Sequence, residues 1–193
     1  RVLEDKRISF VSRSAIKLDS FLDGNDQGAK NKICLDIGAS TWGFTQVLLM
    51  RWAKQIYTVD VWTLQLHPSL KSDSRVICME NTDIRNFQSS IYFDVIVWDI
   101  SFISLTKLID SILALADFTT EIILLYKPQF EVGSENLRKT GVPKSEAIIQ
   151  KCFREFQELL VSKNVAIKKI SPSALEGEAG NKEYLLWIQK KES

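Results

Sequence analysis

Short apolar runs alternate with stretches of helical period along most of this chain. Ser12 stands where an N-cap is expected, ahead of a helix predicted over 13–22 with Ala15, Leu18, Phe21 and Leu22 on one side and Gly24 as its stop. A polar loop over 25–31 separates it from a buried strand at 32–37, a small-residue turn, and a helix over 43–53 that repeats Phe44, Val47, Leu48 and Met50. Further strands are expected at 55–61, 75–79 and 92–100, the last apolar until Asp99. A helix at 104–118 and a strand at 121–126 follow, and that strand runs into Lys127 and Pro128. Residues 129–143 show no period and contain Gly133 and Gly141, the signature of a long loop, which in a compact domain is often functional. A strongly periodic helix over 145–162 and two closing strands at 165–170 and 183–189 complete the pattern, with a glycine-bearing loop at 176–182 between them.

Strands that alternate with helices imply an α/β fold, Rossmann-like, with a mostly parallel seven-stranded sheet covered on both faces. Ligands of such sheets bind outside the carboxyl ends of the strands. Asp36, Asp60, Thr82, Asp83, Asp99 and Lys127 all stand at predicted strand ends and should gather along one edge. Gly38 opens the turn after the first strand; a glycine can take backbone angles closed to other residues and lets the main chain approach a ligand, and such a turn also serves plain structure. Free N–H groups at the start of the following helix suit an anionic group.

Composition narrows the class. The 193 residues are enough for one domain with its own core, and 45% hydrophobic with 25% charged residues is a globular balance. No apolar run approaches the roughly 18 residues a spanning helix requires, and the charged N-terminus lacks the apolar centre of a signal peptide. Cys34, Cys78 and Cys152 lack metal-ligand spacing and are odd in number, so they read as reduced thiols of a cytoplasmic protein. The single histidine, His67, reads as a surface residue. A net charge of +1 gives no global field, but Lys6, Arg7, Arg13 and Lys17 make the first segment basic, as do Lys168 and Lys169 near the end. Such clusters suit either RNA contact or a solvated face.

Asp60 is placed to accept hydrogen bonds from both ribose hydroxyls of an adenosine ligand, which NAD and S-adenosylmethionine share. Asp83 is placed either for an adenine amino group or for capping its own loop. Lys127 ends an apolar strand, so its stem is expected to be buried, with Asp99 on the neighbouring strand end as partner. A functional amine and a plain structural ion pair are both consistent with that placement.

Several blocks then resemble the TlyA family, hemolysin-labelled rRNA 2′-O-methyltransferases related to FtsJ-like methyltransferases. They are Val11-Ser12-Arg13-Ser14-Ala15-Ile16-Lys17-Leu18, Asp36-Ile37-Gly38-Ala39-Ser40-Thr41, Asp99-Ile100-Ser101-Phe102-Ile103-Ser104-Leu105, Lys127-Pro128-Gln129-Phe130-Glu131-Val132-Gly133 and Gly180-Asn181-Lys182-Glu183-Tyr184-Leu185-Leu186. The resemblance spans essentially the whole chain. It implies a class I methyltransferase fold over 13–193, with 1–12 as the remnant of a linker that in the family follows an S4-type RNA-binding module, absent here. It implies S-adenosylmethionine rather than a nicotinamide, rRNA or a ribosomal subunit as partner, and neither a metal nor a membrane. A Lys-Asp-Lys-Glu tetrad falls on Lys17, Asp99, Lys127 and Glu183. Cofactor contacts fall on Asp36, Gly38, Ala39, Ser40, Thr41, Gly43 and Phe44, then Asp60 and Val61, then Thr82 and Asp83.

The tetrad suits the chemistry. A ribose hydroxyl is a poor nucleophile, so Lys127 is expected to weaken its hold on the proton, helped by burial and by the nearby Lys17 charge. Asp99 and Glu183 would orient the two amines. Two departures leave an alternative open. Trp42 stands where the family has glycine, and Trp62 and Leu64 stand where it has small residues. These indoles either stack on adenine or RNA, or fill the pocket and leave an inactive RNA-binding relative. The hemolysin label finds no amphipathic basic helix in the sequence to support membrane lysis.

Overall fold

The structure, a computed structural model, describes residues 10–23, 28–40, 42–63 and 68–192. Gly24, Thr41, Leu64, His67 and the basic pair Lys6 and Arg7 lie outside the described residues. Among the described residues, seven strands are β1 Ile33–Ile37, β2 Gln55–Val59, β3 Val76–Met79, β4 Val95–Trp98, β5 Glu121–Tyr126, β6 Val165–Pro172 and β7 Tyr184–Lys190. They form one sheet in the order β3-β2-β1-β4-β5-β7-β6. The first five are parallel, and β7 runs antiparallel to both of its neighbours.

The helices are α1 Arg13–Leu22, α2 Gly43–Met50, α3 Pro68–Lys71, α4 Ile109–Ala114 and α5 Glu146–Ser162. Central strands read as continuous apolar runs because both of their faces are covered. Alternate residues go to opposite sides. Cys34, Val95, Val97, Ile123 and Leu125 meet Ala15 and Leu18 of α1 and Phe44 and Leu48 of α2. Leu35, Ile37, Ile96, Trp98, Leu124 and Tyr126 join Ile109 and Ile112 of α4 and Phe153, Phe156 and Leu160 of α5.

Several predicted elements are shorter than their apolar patterns. The strand expected over 92–100 is only Val95–Trp98, with Tyr92 at 65% exposure ahead of it. The helix expected over 104–118 divides into a 3-10 turn, Leu105–Lys107, and α4. Downstream, Asp117 Oδ1 accepts the Thr119 N–H at 2.7 Å and the Thr119 hydroxyl at 2.6 Å. That local turn competes with helical hydrogen bonding. α2 ends at Met50, before Trp52 takes a φ of 62°. α3 has no counterpart in the apolar pattern of the sequence. Ser12 does cap α1 by position, but its hydroxyl pairs with that of Ser14 at 2.7 Å instead of a backbone N–H. The 129–143 loop holds a 3-10 turn at Ser134–Asn136 and a bridge between Leu137 and Pro143.

Candidate active site

The chain turns sharply where β1 ends. Gly38 has φ 77° and donates its N–H to Val59 O at 2.9 Å. A Cβ there would stand 2.4 Å from Ile100 Cγ1 and 3.1 Å from Asp99 O, so the β4 exit can approach only a glycine. Asp60, at the β2 exit, then clamps two turns: Oδ2 accepts the Ser40 N–H at 2.8 Å and Oδ1 the Trp62 N–H at 2.9 Å. Each carboxylate oxygen retains acceptor capacity beyond these bonds.

Between these strand ends lies a cavity of about 500 Å³. Gly38, Ser40, Asp60, Val61, Trp62, Thr82 and Asp83 line one part of it, Arg85 and Ile84 extend that wall, and Asp99 to Ile103 form the other. This is the crevice where parallel α/β sheets hold ligands, and its size suits a small molecule. Apolar walls (Val59, Val61, Ile84, Ile100) together with the acceptor Asp60 suit the base and ribose of an adenosine-bearing cofactor. Asp83 is already engaged by the Arg85 side chain, which holds its carboxyl below the usual range.

Other predicted contacts lie outside the cavity lining. Asp36 is fully buried, accepts the Thr45 hydroxyl at 2.6 Å and leaves Oδ1 without a partner. Burial pushes its carboxyl up to about 7, against the pull of Thr45. Phe44 and Ala39 are core residues. Gly43 serves helix packing: a Cβ there would meet Ser14 Oγ at 2.1 Å and Ser12 Oγ at 2.2 Å. Trp42 is 1% exposed and does not line the large cavity, whereas Trp62, 63% exposed, stands at its rim. Trp42 therefore leaves that cavity open.

Four distant charged residues converge beside it. Lys17 Nζ lies 2.6 Å from Glu183 Oε2, and both residues are buried. Lys127 Nζ lies 2.7 Å from Asp99 Oδ1 and donates to Ser101 Oγ at 2.8 Å. Burial raises the Asp99 carboxyl, while the charges of Lys127 and Lys17 oppose the rise and that of Glu183 adds to it, so the two pairs sense each other. Gln129 Nε2 reaches Glu183 Oε1 at 3.4 Å. Gly177 is required beside it, since a Cβ there would lie 2.2 Å from Glu183 Oε1.

Two further residues lie inside the motif blocks, but the apolar pattern assigns them no role. Ser101 touches Lys127 from an exposed position in the cavity wall. Glu131 joins the loop after β5 to the loop after β4, accepting from Ser104 Oγ at 2.7 Å, Leu105 N at 2.6 Å and Thr106 Oγ1 at 2.9 Å. A single acid in an aperiodic loop does not reveal such a partner; only the fold does.

Residues 10–190 match the FtsJ-like methyltransferase family. The chain is 44% identical over 182 residues to the 23S rRNA (cytidine-2′-O)-methyltransferase TlyA of Campylobacter jejuni, covering 94% of this chain and 71% of that protein. It is 36% identical over 195 residues to the 16S/23S rRNA (cytidine-2′-O)-methyltransferase TlyA of Mycobacterium tuberculosis, covering 97% and 71%. A solved hemolysin-named structure from Lactococcus lactis superposes with a TM-score of 0.90 at 32% identity, covering 96% of this chain and 90% of the other. Among the described residues, no helix is long and apolar enough to cross a membrane.

Proposed function

The chain belongs to the FtsJ-like methyltransferase family, and from that premise we propose that it methylates a ribose 2′-hydroxyl of ribosomal RNA with S-adenosylmethionine as donor. The observation that carries this reading is the meeting of two amine–carboxylate pairs, Lys127 with Asp99 and Lys17 with Glu183, at the edge of a cavity fit for the donor. Residues 13–193 form the catalytic domain.

When bound, the cofactor supplies a methyl group made electrophilic by the adjacent sulfonium. Asp60 would accept from its ribose hydroxyls, and the apolar walls between Val59 and Ile100 would hold its base. Lys127 Nζ is the base placed to take the proton from the acceptor hydroxyl; as that oxygen gains the methyl carbon, the methyl–sulfur bond would break with its electron pair staying on sulfur, so that the cofactor would leave as a neutral thioether. Asp99 then offsets the ammonium charge so formed, and Ser101 fixes the direction of the amine. Lys17, held by Glu183, presents a hydrogen-bond donor to the acceptor ribose.

Incubation of unmodified ribosomal subunits with labelled cofactor tests the proposal. Label is expected on a ribose oxygen in the parent and none in Lys127→Ala. A parent protein that binds cofactor yet transfers no methyl group to ribosomal RNA would overturn it.

A further inference from the structure

A second cavity, of about 200 Å³, opens between the 137–145 loop and the turn that leads into β7. Its walls carry three cations, Arg138, Lys144 and Lys182, against one carboxylate, Glu146. That carboxylate is already occupied, by Lys182 Nζ at 2.8 Å and Gln150 Nε2 at 2.9 Å. Lys144 Nζ donates to Glu135 O at 2.6 Å and Arg138 Nη2 to Lys144 O at 3.4 Å. Each cation keeps N–H donors beyond these bonds. The lining thus favours an anion.

Asn181 adds a different demand. It is 5% exposed, lines the same cavity, and donates through Nδ2 to Glu178 O at 2.9 Å and to Gly141 O at 3.5 Å. Its Oδ1 has no partner. A buried acceptor without a donor is costly, and a hydroxyl or amino group on a ligand would relieve it. A phosphoribose unit is one ligand class that offers both an anion and a hydroxyl donor.

The cavity also adjoins the tetrad. Both Asn181 and Glu183 pack on Gly177, where a Cβ would lie 3.4 Å from Asn181 Cβ and 2.2 Å from Glu183 Oε1. An RNA strand with its acceptor ribose at Glu183 would therefore pass its next unit toward Asn181.

We propose that this cavity binds the ribonucleotide next to the one that is methylated, with its phosphate on Arg138, Lys144 and Lys182 and a ribose hydroxyl on Asn181 Oδ1. The assignment rests on the RNA reading above. It gives the enzyme a grip on the strand beyond the acceptor sugar, supplied by groups that take no part in the proton transfer.

The test is an NMR titration of the protein with cytidylyl-3′,5′-cytidine, followed at the Asn181 side-chain amide and repeated with the all-deoxy dinucleotide and with inorganic phosphate. A saturable shift is expected with the ribonucleotide. Affinity should fall about tenfold in the double variant Arg138→Gln/Lys144→Gln and severalfold with the deoxy analogue. No shift at Asn181, equal affinity for the deoxy form or for phosphate alone, or an unchanged double variant would each overturn the proposal. Both substituted residues are exposed, so a melting curve like the parent's is expected. Because no turnover is involved, binding here without methylation of ribosomal RNA would count against the catalytic reading and not against this one.

Discussion

The Glu131 carboxylate accepts the Leu105 backbone N–H at 2.6 Å and so ties the loop that follows β5 to the loop that follows β4. Those two loops carry Lys127 and Asp99. Because Ser104 and Thr106 bond to the same carboxylate, replacing Glu131 with Ala leaves three donors without their charged acceptor. The expected cost is about 1–3 kcal/mol in unfolding free energy by urea titration. Turnover should fall as well, by on the order of a hundredfold, because a shift of about 1 Å in the amine is enough. Glu131→Gln should recover part of the turnover, and cofactor affinity should stay close to the parent value.

Lys127 and Asp99 differ in what their loss leaves behind. Asp99→Ala strands an ammonium that is 10% exposed, which is expected to destabilise the protein by about 3–5 kcal/mol. Lys127→Met/Asp99→Leu should regain most of that stability, since a packed apolar pair replaces the charges. The double variant should nonetheless have no methyl transfer. Thermal unfolding paired with a transfer assay separates the two effects.

Asp36 gives stability a pH dependence of definite sign. Its folded-state carboxyl is raised to about 7 by burial, above the 3.8 of the exposed group. The folded protein therefore holds a proton that the unfolded chain releases, and the stabilisation this gives is complete below about pH 4 and lost as the pH rises to about 7. Asp36→Asn removes the titration. Its stability relative to the parent should rise between pH 4 and pH 7 and then level off, as read from urea midpoints.

Gly43 is where α1 rests on α2. A methyl group at this position meets two serine oxygens and the Ala15 backbone N, the last at 2.7 Å. Gly43→Ala should push α1 outward, cost about 1–3 kcal/mol, and displace Lys17 from Glu183. Replacing Ser12 and Ser14 with glycine in the same chain should relieve the clash only partly, because the backbone contact remains. Loss of transfer together with near-parent cofactor binding is the expected outcome.

The two tryptophans should respond in opposite ways. Trp42 is a fully enclosed side chain at φ 66°, so Trp42→Ala is expected to lower stability by about 3–5 kcal/mol while cofactor affinity changes little. Trp62→Ala should leave stability within about 0.5 kcal/mol and weaken cofactor binding severalfold, since the indole rims the cavity from an exposed position. Calorimetric titration of both variants checks this.

What the chain declares by itself is local and periodic. The apolar run ending at Asp36, the helical spacing of Phe44, Val47 and Leu48, and the uninterrupted strand before Lys127 are enough to fix an alternating α/β order, because strand and helix periods differ. That order places strand-end residues on one edge, and the motif blocks point to the four charged residues that meet there. The tertiary structure decided what depends on distance through space. It closed Glu131 onto Leu105, turned Trp42 into the core and Trp62 toward the cavity, spent Gly43 on helix packing, and set Asn181 against a second, cationic hollow. Spacing along a chain reports which face of its own element a side chain occupies; which other element supplies its partner is set only when the sheet assembles and buried polar atoms must find one another.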